Sequence, residues 1–216
     1  MKASMRFLSS AEIEKLHEAS LNILNKTGVK IHSEKVAAML ERKGAHRQGE
    51  LVKLPYELVN DCISLINRNA LILGARDPNW ELELAYGNDK IPYTSPSGYS
   101  PFVYDFKTGE KRKSRKEDLR NYARLCNQLK IVDFFWPSVV PTDVPGALEE
   151  IFSLAISFEN TKKHIQCSCS SEKSAKWQIE MSEVFTGCTN SSRGGSIFSA
   201  VAAPLTPLTF EKNTVE

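Results

Sequence analysis

The 216-residue chain contains no run of about eighteen consecutive apolar residues, so nothing in it predicts a membrane-spanning helix. Residues 1–15 hold one short apolar pair and then turn polar, so the apolar core of a signal peptide is missing. Only five cysteines occur, an odd number at irregular spacing, which suits a reducing compartment better than a disulfide framework. These absences predict a cytoplasmic protein that makes no membrane contact.

A large excess of charge of either sign is also missing. Lysine and arginine total 28 against 26 aspartates and glutamates, a net charge of +2, which argues against nucleic-acid binding through bulk charge. The densest basic run, Lys107 to Lys116, is typical of a solvated turn and helix start. With 41% hydrophobic and 25% charged residues, the composition predicts a folded globular protein of one sizeable domain or two small ones.

Glycine motifs that bind phosphate are absent after the predicted strands. Neither GxGxxG nor GxxxxGK[ST] appears at a strand-to-helix turn, and Arg193-Gly194-Gly195 precedes a strand instead of following one. Dinucleotide and nucleotide-phosphate sites are therefore weakly supported.

The first half of the chain predicts a small α+β unit. Ser9 and Glu12 are spaced as a capping box for a first helix, which ends at Gly28. A second helix follows Ser33, and a third begins after Pro55. From Ala70 the pattern changes to β, with a hairpin across residues 107–109. We therefore assign residues 1–113 to an N-terminal α+β unit with a hairpin and loop region.

A unit of strand, loop and helix repeats in the second half of the chain. Strands are predicted over residues 131–136, 163–169 and 196–203, with amphipathic helices between them. This alternation predicts a parallel sheet, either open and doubly wound or closed as a barrel. A closed eight-stranded barrel needs roughly 250 residues. We therefore expect a fragment, a truncated reading frame, or a chain that closes its sheet with a partner.

Five segments of the chain carry a family resemblance when taken in order. They read ILNKTGVKIHSEKVAAMLERKGA, VKLPYELVNDCI, LILGARDP, SGYSPFVYDFKTGEKRKSRKEDL and IVDFFWPSVVPTDVP. Together they resemble the N-terminal part of the trimethylamine methyltransferase family, and the similarity extends over essentially the whole chain.

The resemblance implies an α/β fold, the N-terminal part of a TIM (β/α)8 barrel preceded by the small α+β unit. Residues 114–216 would then hold the first three strands of an incomplete barrel. The implied activity moves a methyl group from a methylated amine, either trimethylamine or a quaternary amine such as glycine betaine, to Co(I). That cobalt belongs to the corrinoid of a separate cognate protein, and no cofactor is expected to be covalently bound. A homo-oligomer is possible. The position that separates pyrrolysine-containing members from the others is expected beyond Glu216.

A methylated cation without hydrogen-bond donors is best held by aromatic faces and a carboxylate. Four residues of the right type lie near the first predicted strand: Trp136 at its end, Tyr93 and Tyr99 in the preceding loop, and Asp143 in the loop that follows. Each has a structural alternative, core packing for the aromatic rings and helix capping for Asp143. Trp136 is the best single candidate for substrate binding.

The segment Lys163 to Cys169 predicts a strand with one polar face. His164, Gln166 and Ser168 share that face, whereas Ile165 and the two cysteines share the other. The apolar face should pack on helices, which leaves Gln166 and Ser168 toward the substrate.

In the third strand, small residues leave room for a corrinoid ring at the strand end, although tight helix packing explains them equally well. Pro204 and Thr206 in the loop after it are then predicted to contact the corrinoid.

Two competing hypotheses remain. A zinc-thiolate methyltransferase would use Cys167, Cys169 and Cys188 as ligands, but Cys-x-Cys is not the usual structural-zinc spacing, and we predict no metal. Alternatively, the chain is a catalytically inactive truncated remnant, or an interaction module built on the N-terminal unit.

Overall fold

The computed structural model describes residues 7–66, 71–84, 92–187 and 196–216. The chain forms two compact units, one comprising Met1–Arg68 with Ala203–Glu216 and the other Asn69–Ala202. The sequence-based division at residue 113, between the α+β unit and the first three strands of an incomplete barrel, stays a prediction.

The first unit begins with helix α1 (Ser10–Asn22), at the predicted capping box. The Glu12 carboxylate accepts a hydrogen bond from the Ser9 N–H at 2.7 Å, and the Ser9 hydroxyl accepts one from the Glu12 N–H at 3.3 Å. After one π-helical turn the helix ends at Gly28, as predicted. The further elements of this part are β1 (Val29–Ile31), α2 (Glu34–Arg42), β2 (His46–Gln48), β3 (Leu51–Lys53) and α3 (Tyr56–Ser64).

The second unit begins with two antiparallel hairpins. These are β4 (Leu71–Leu73) with β5 (Leu82–Leu84), and β6 (Phe102–Tyr104) with β7 (Lys111–Lys113). The second hairpin confirms the turn predicted at residues 107–109. Its turn is fixed by Asp105, whose carboxylate accepts hydrogen bonds from the N–H groups of Lys107 at 3.0 Å and Thr108 at 3.1 Å.

Helices and parallel strands then alternate as predicted. The elements are α4 (Lys116–Gln128), α5 (Glu149–Asn160), β8 (Ile165–Ser168), α6 (Glu172–Thr186) and β9 (Phe198–Val201). Strands β8 and β9 pair in parallel, with Ile165 opposite Phe198, and Phe135 makes a parallel bridge to Ile165 on the other side of β8. The three predicted strand segments therefore lie side by side in the same order as in the chain, and all run in the same direction.

The predicted strand at residues 131–136 was wrong in its length. Within it only Phe135 pairs with another strand, through its N–H to the His164 carbonyl at 2.8 Å and its carbonyl to the Gln166 N–H at 2.9 Å. The carbonyl of Val132 instead accepts a hydrogen bond from the Lys163 ammonium, and Pro137 has no N–H to donate. Competing hydrogen bonds before Phe135 and the proline after it thus limit the pairing to one residue.

The core of the second unit lies between the parallel strands and the helices. Its buried members are Leu119, Ala123, Cys126, Phe135, Leu154, Ile156, Phe158, Ile165, Cys167, Ile197 and Phe198. The rings of Phe158 and Phe198 meet edge to face with centroids 6.2 Å apart. This cluster fixes α5 against β8 and β9, and so fixes the loops at the strand ends.

The last elements belong to the first unit. Strand β10 (Thr209–Phe210) pairs in parallel with β1, so that the sheet order is β10-β1-β3-β2, and helix α7 (Lys212–Val215) follows. The Ser33 hydroxyl donates a hydrogen bond to the Glu216 carboxylate at 2.6 Å, which ties this segment to the start of α2. The sequence did not predict this return of the chain.

The architecture is thus mixed α/β, and none of the described sheets closes on itself. The parallel order Phe135, β8, β9 agrees with the predicted α/β class, whereas the TIM barrel stays a prediction. Within the described part of the chain, no helix is both long enough and apolar enough to cross a bilayer.

Candidate functional site

A pocket of about 190 Å³ lies at the carboxyl ends of the first two parallel strands. We call it the Trp136 pocket. It is lined by Tyr99, Trp136, Pro137, Val140, Glu149, Glu150, Ser153, Cys167 and Ser168. Three of the predicted substrate-binding residues, Trp136, Tyr99 and Ser168, therefore lie in one pocket, at the end of the sheet where parallel α/β folds place their chemistry.

Backbone pairing between two loops brings Tyr99 to this pocket. Ser100, the next residue, donates its N–H to the Ser138 carbonyl at 2.8 Å and accepts from the Val140 N–H at 3.0 Å. The loop that carries Tyr99 is thereby fixed to the segment that follows Trp136. The Tyr99 side chain itself is 69% exposed, so its ring forms part of the rim.

Glu149 supplies the carboxylate in the first turn of α5. One of its oxygens accepts a hydrogen bond from the Ser153 hydroxyl at 2.9 Å, which is its one hydrogen bond within the described residues. Burial raises the pKa of Glu149 above its ordinary value, and the neighbouring Glu150 carboxylate adds to this effect. A cation bound beside Glu149 would offset both penalties.

Glu150 has a different role, because its carboxylate organises the start of α6. It accepts hydrogen bonds from the Ser170 N–H at 3.2 Å, the Ser170 hydroxyl at 3.1 Å and the Ser174 hydroxyl at 2.7 Å. These bonds hold the loop after β8 against the first turn of α5. Glu150 therefore shapes the pocket wall and adds negative charge to it.

The phenol of Tyr99 is neutral in this setting. Partial desolvation at the pocket rim raises the pKa of Tyr99, and the Glu149 and Glu150 carboxylates raise it further. The Trp136 pocket thus combines a neutral phenol ring, an indole ring and two carboxylates. Aromatic faces and negative charge attract a cation, including one that has no hydrogen to donate.

Two other predicted residues, Gln166 and Tyr93, line a separate pocket of about 270 Å³. Its lining comprises Leu73, Leu82, Leu84, Tyr93, Phe134, His164, Gln166 and Ser199. Along β8, Ile165 and Cys167 are buried, Gln166 is half-buried and Ser168 is exposed, which confirms the predicted alternation of faces. Gln166 and Ser168 nevertheless lie in different pockets.

His164 is fully buried at the floor of that second pocket. Its Nδ1 lies 2.8 Å from the Gly74 carbonyl oxygen and its Nε2 lies 3.0 Å from the Ser199 hydroxyl. Because a carbonyl only accepts, Nδ1 carries the hydrogen and Nε2 accepts from Ser199. Burial lowers the pKa of His164, so the neutral ring is the favoured form.

Asp143 lines neither of these two pockets. Its exposed carboxylate accepts a hydrogen bond from the Lys116 N–H at 2.8 Å, at the first residue of α4. This is the capping alternative considered from the sequence, although the capped helix precedes Asp143 in the chain. The carboxylate of the Trp136 pocket comes instead from Glu149, whose signal in the sequence was its place at a helix start directly after the loop.

Pro204 and Thr206 are exposed residues of the segment that joins β9 to β10, and they belong to the first compact unit. An antiparallel bridge between Leu205 and Thr209 closes a tight turn that contains Thr206 and directly follows Pro204. Their contact with a corrinoid stays a prediction.

The cysteines set limits on a zinc-thiolate site. Cys188 lies outside the described residues. Burial raises the pKa of Cys167 to about 12, so this thiol keeps its proton at neutral pH. Within the described ranges, no group of three His, Cys, Asp or Glu side chains is arranged to hold a metal ion.

Comparison with known proteins gives matches over the whole chain. The family model described as trimethylamine methyltransferase (MTTB) matches residues 1–216. A trimethylamine methyltransferase MttB of Desulfitobacterium hafniense is 26% identical over 202 residues, which cover 93% of this chain and 40% of the relative. A glycine betaine methyltransferase from another strain of that species is 24% identical over 206 residues, covering 95% and 42%.

A third relative, the L-carnitine:corrinoid methyltransferase of Eubacterium limosum, is 26% identical over 140 residues, which cover 65% of this chain and 27% of the relative. The chain spans about 40% of the length of the first two relatives. Since the family model matches every residue from 1 to 216, the chain belongs to the trimethylamine methyltransferase family.

Proposed function

We propose that the protein is a corrinoid-dependent methyltransferase, which moves a methyl group from a methylated amine to the Co(I) of a cognate corrinoid protein. Membership of the family and relatives named for trimethylamine, glycine betaine and L-carnitine support this activity. The observation that carries it in this chain is the Trp136 pocket, where an indole, a phenol and a carboxylate converge.

The proposed reaction requires little acid-base catalysis by the protein. Transfer of a methyl group from nitrogen is an in-line displacement, so the protein must hold the amine in one orientation and keep water away from it. Trp136 and Tyr99 would hold the methyl groups against their ring faces, and Glu149 would balance the charge on nitrogen. The partner protein's corrinoid would supply Co(I) as the methyl acceptor, and the demethylated amine would leave as its N–C bond breaks.

In this proposal the Trp136 pocket is the first wall of a larger site. The parallel order of Phe135, β8 and β9 supports a barrel whose further strands would complete that wall. Residues 114–216 would then contribute the first three strands of the barrel, with the loops after them facing the substrate. Gln166, which lines the second pocket, would contribute to the deeper part of the same site.

Methyl transfer tests the proposal directly. We expect the full-length protein to methylate a reduced corrinoid protein when it is supplied with a suitable member of a panel of methylated amines and betaines. The absorbance of the corrinoid measures the methylation. Trp136→Leu should lower the rate at least about tenfold, because it removes the strongest cation-binding ring. Trp177→Leu is the matched control, since Trp177 lies on α6 outside the Trp136 pocket. If none of the amines or betaines gives a methylated corrinoid, the proposal is contradicted.

The competing hypothesis is an inactive remnant or an interaction module. It predicts that hydrogen-exchange protection is confined to residues before about 130. The buried cluster around Phe135, Phe158 and Ile165 argues for protection beyond that point. Strong protection of the β8 amides would therefore count against an N-terminal module alone.

A further inference from the structure

We propose that the Trp136 pocket selects methylated amines that carry a positive charge and no carboxylate, with Glu149 as the specificity-determining residue. The inference rests on the proposed function, because it names the substrate class for the same pocket. Choline, tetramethylammonium and protonated trimethylamine belong to this class. Glycine betaine and other amino-acid betaines do not.

The charge of the pocket lining carries the inference. Two of the nine lining residues, Glu149 and Glu150, are carboxylates, and none of the nine is a lysine, arginine or histidine. With its ammonium group between the two rings, a betaine would have to place its own carboxylate a few ångströms from these two groups, and this wall of the site supplies no counter-ion for it. Like charges in a partly buried site repel strongly, so this arrangement disfavours a betaine.

Cations near the pocket are already engaged with aromatic rings. Lys173 lines an adjacent pocket, and its ammonium lies 4.6 Å from the centroid of the Trp177 ring. The Lys116 ammonium lies 5.7 Å from the centroid of the Phe152 ring. Neither lysine lines the Trp136 pocket, so neither is placed to neutralise a substrate carboxylate there.

Glu149, and not Glu150, is the carboxylate available to the substrate. Glu150 already accepts three hydrogen bonds from Ser170 and Ser174, whereas Glu149 accepts one from Ser153 within the described residues. Both glutamates share the lining with Trp136 and Tyr99, so the number of hydrogen bonds that each already accepts distinguishes them. A trimethylammonium group between the rings would therefore use Glu149 as its counter-ion.

Equilibrium binding to the full-length protein, without any corrinoid protein, tests the inference. Isothermal titration calorimetry with tetramethylammonium, choline and glycine betaine should show that both cations bind at least about tenfold more tightly than the betaine. Glu149→Gln should weaken binding of the cations about tenfold and leave betaine binding unchanged or improved. Glu159→Gln is the matched control, because Glu159 is an exposed glutamate on the same helix, outside the pocket.

Three results would overturn the inference: a betaine that binds as tightly as choline, cations that bind Glu149→Gln as well as the unchanged protein, or no binding of either cation. These binding measurements omit the methyl acceptor, so they are independent of the methyl-transfer assay. If the protein binds betaine more tightly than choline but still methylates the corrinoid, only the inference about substrate class is contradicted. A protein that prefers choline but never methylates the corrinoid contradicts the proposed function instead.

Discussion

Lys163 is a fully buried lysine whose ammonium is satisfied by backbone carbonyls. Its Nζ donates to the carbonyl oxygens of Cys126 at 2.8 Å and Leu129 at 2.7 Å, at the end of α4, and also to that of Val132. The same Nζ lies 4.0 Å from the centroid of the Trp80 ring. A positive charge at a helix C-terminus is favourable, because the last carbonyls of a helix have no partner within the helix.

Replacement of Lys163 by methionine should therefore destabilise the protein by about 3 kcal/mol, because buried carbonyls lose a charged donor while the chain length is kept. Lys162→Met is the matched control, since Lys162 is the exposed neighbour. Urea unfolding of both variants measures the two losses. Equal losses would show that the carbonyl bonds of Lys163 contribute little.

At the scale of single residues, the sequence predicted which types of side chain line the pocket better than it predicted which residues lie together. The sequence predicts substrate contacts for Trp136, Tyr99 and Ser168, which line one pocket, and for Tyr93 and Gln166, which line another. It predicts Asp143 as the carboxylate, whereas Glu149 lines the Trp136 pocket. A glutamate at a helix start is common, so only the packing of α5 beside Trp136 distinguishes Glu149 from other glutamates of the chain.

At the scale of elements, the connection between α1 and β1 depends on Gly28. Its φ is +79°, and a Cβ at this position would lie 2.7 Å from the Val52 carbonyl oxygen of β3. Gly28→Ala combines backbone strain with a clash against a backbone atom that cannot move freely. We expect a loss of about 3 kcal/mol.

Gly44→Ala is the matched comparison for this prediction. Gly44 also has a positive φ, +99°, but a Cβ there would meet nothing within 4 Å. Its loss should be smaller, about 1 kcal/mol, since only the backbone strain applies. Thermal unfolding followed by circular dichroism ranks the two variants, and the reverse ranking would contradict the role given to the contact with Val52.

Elements were predictable where local signals define them. The capping hydroxyls of Ser9 and Ser33 open α1 and α2 in the structure as in the sequence. Strand extents were less predictable, because the segment before Phe135 is shortened by bonds to distant residues such as Lys163. Strand β10 was not predicted, because its partner β1 is far away in the chain and a strand of two residues is too short to show an alternating hydrophobic pattern.

At the scale of the whole molecule, one strand edge is open. Within the described residues, β9 pairs with β8 on one side and with no strand on the other. An unpaired edge of a parallel sheet is a template for pairing with another chain. The 216-residue chain on its own should therefore self-associate at concentrations on the order of tens of micromolar, which sedimentation velocity would measure.

Ala200→Lys should reduce this association at least about threefold, because it places a charge at an exposed position in the middle of β9. Ala202→Lys adds the same charge one residue beyond the strand and should have a smaller effect. Equal effects of the two variants would point to net charge instead of edge pairing as the cause.

The pairing of β10 with β1 also orders events during protein synthesis. Beside the paired strands, His32 contacts Glu211, a residue 179 positions later in the chain. At about 5–20 residues per second, roughly 10–40 s pass between the translation of β1 and that of β10. During that interval the nascent chain presents one side of β1 without its final partner, so the first unit completes its sheet only after the second unit has been translated.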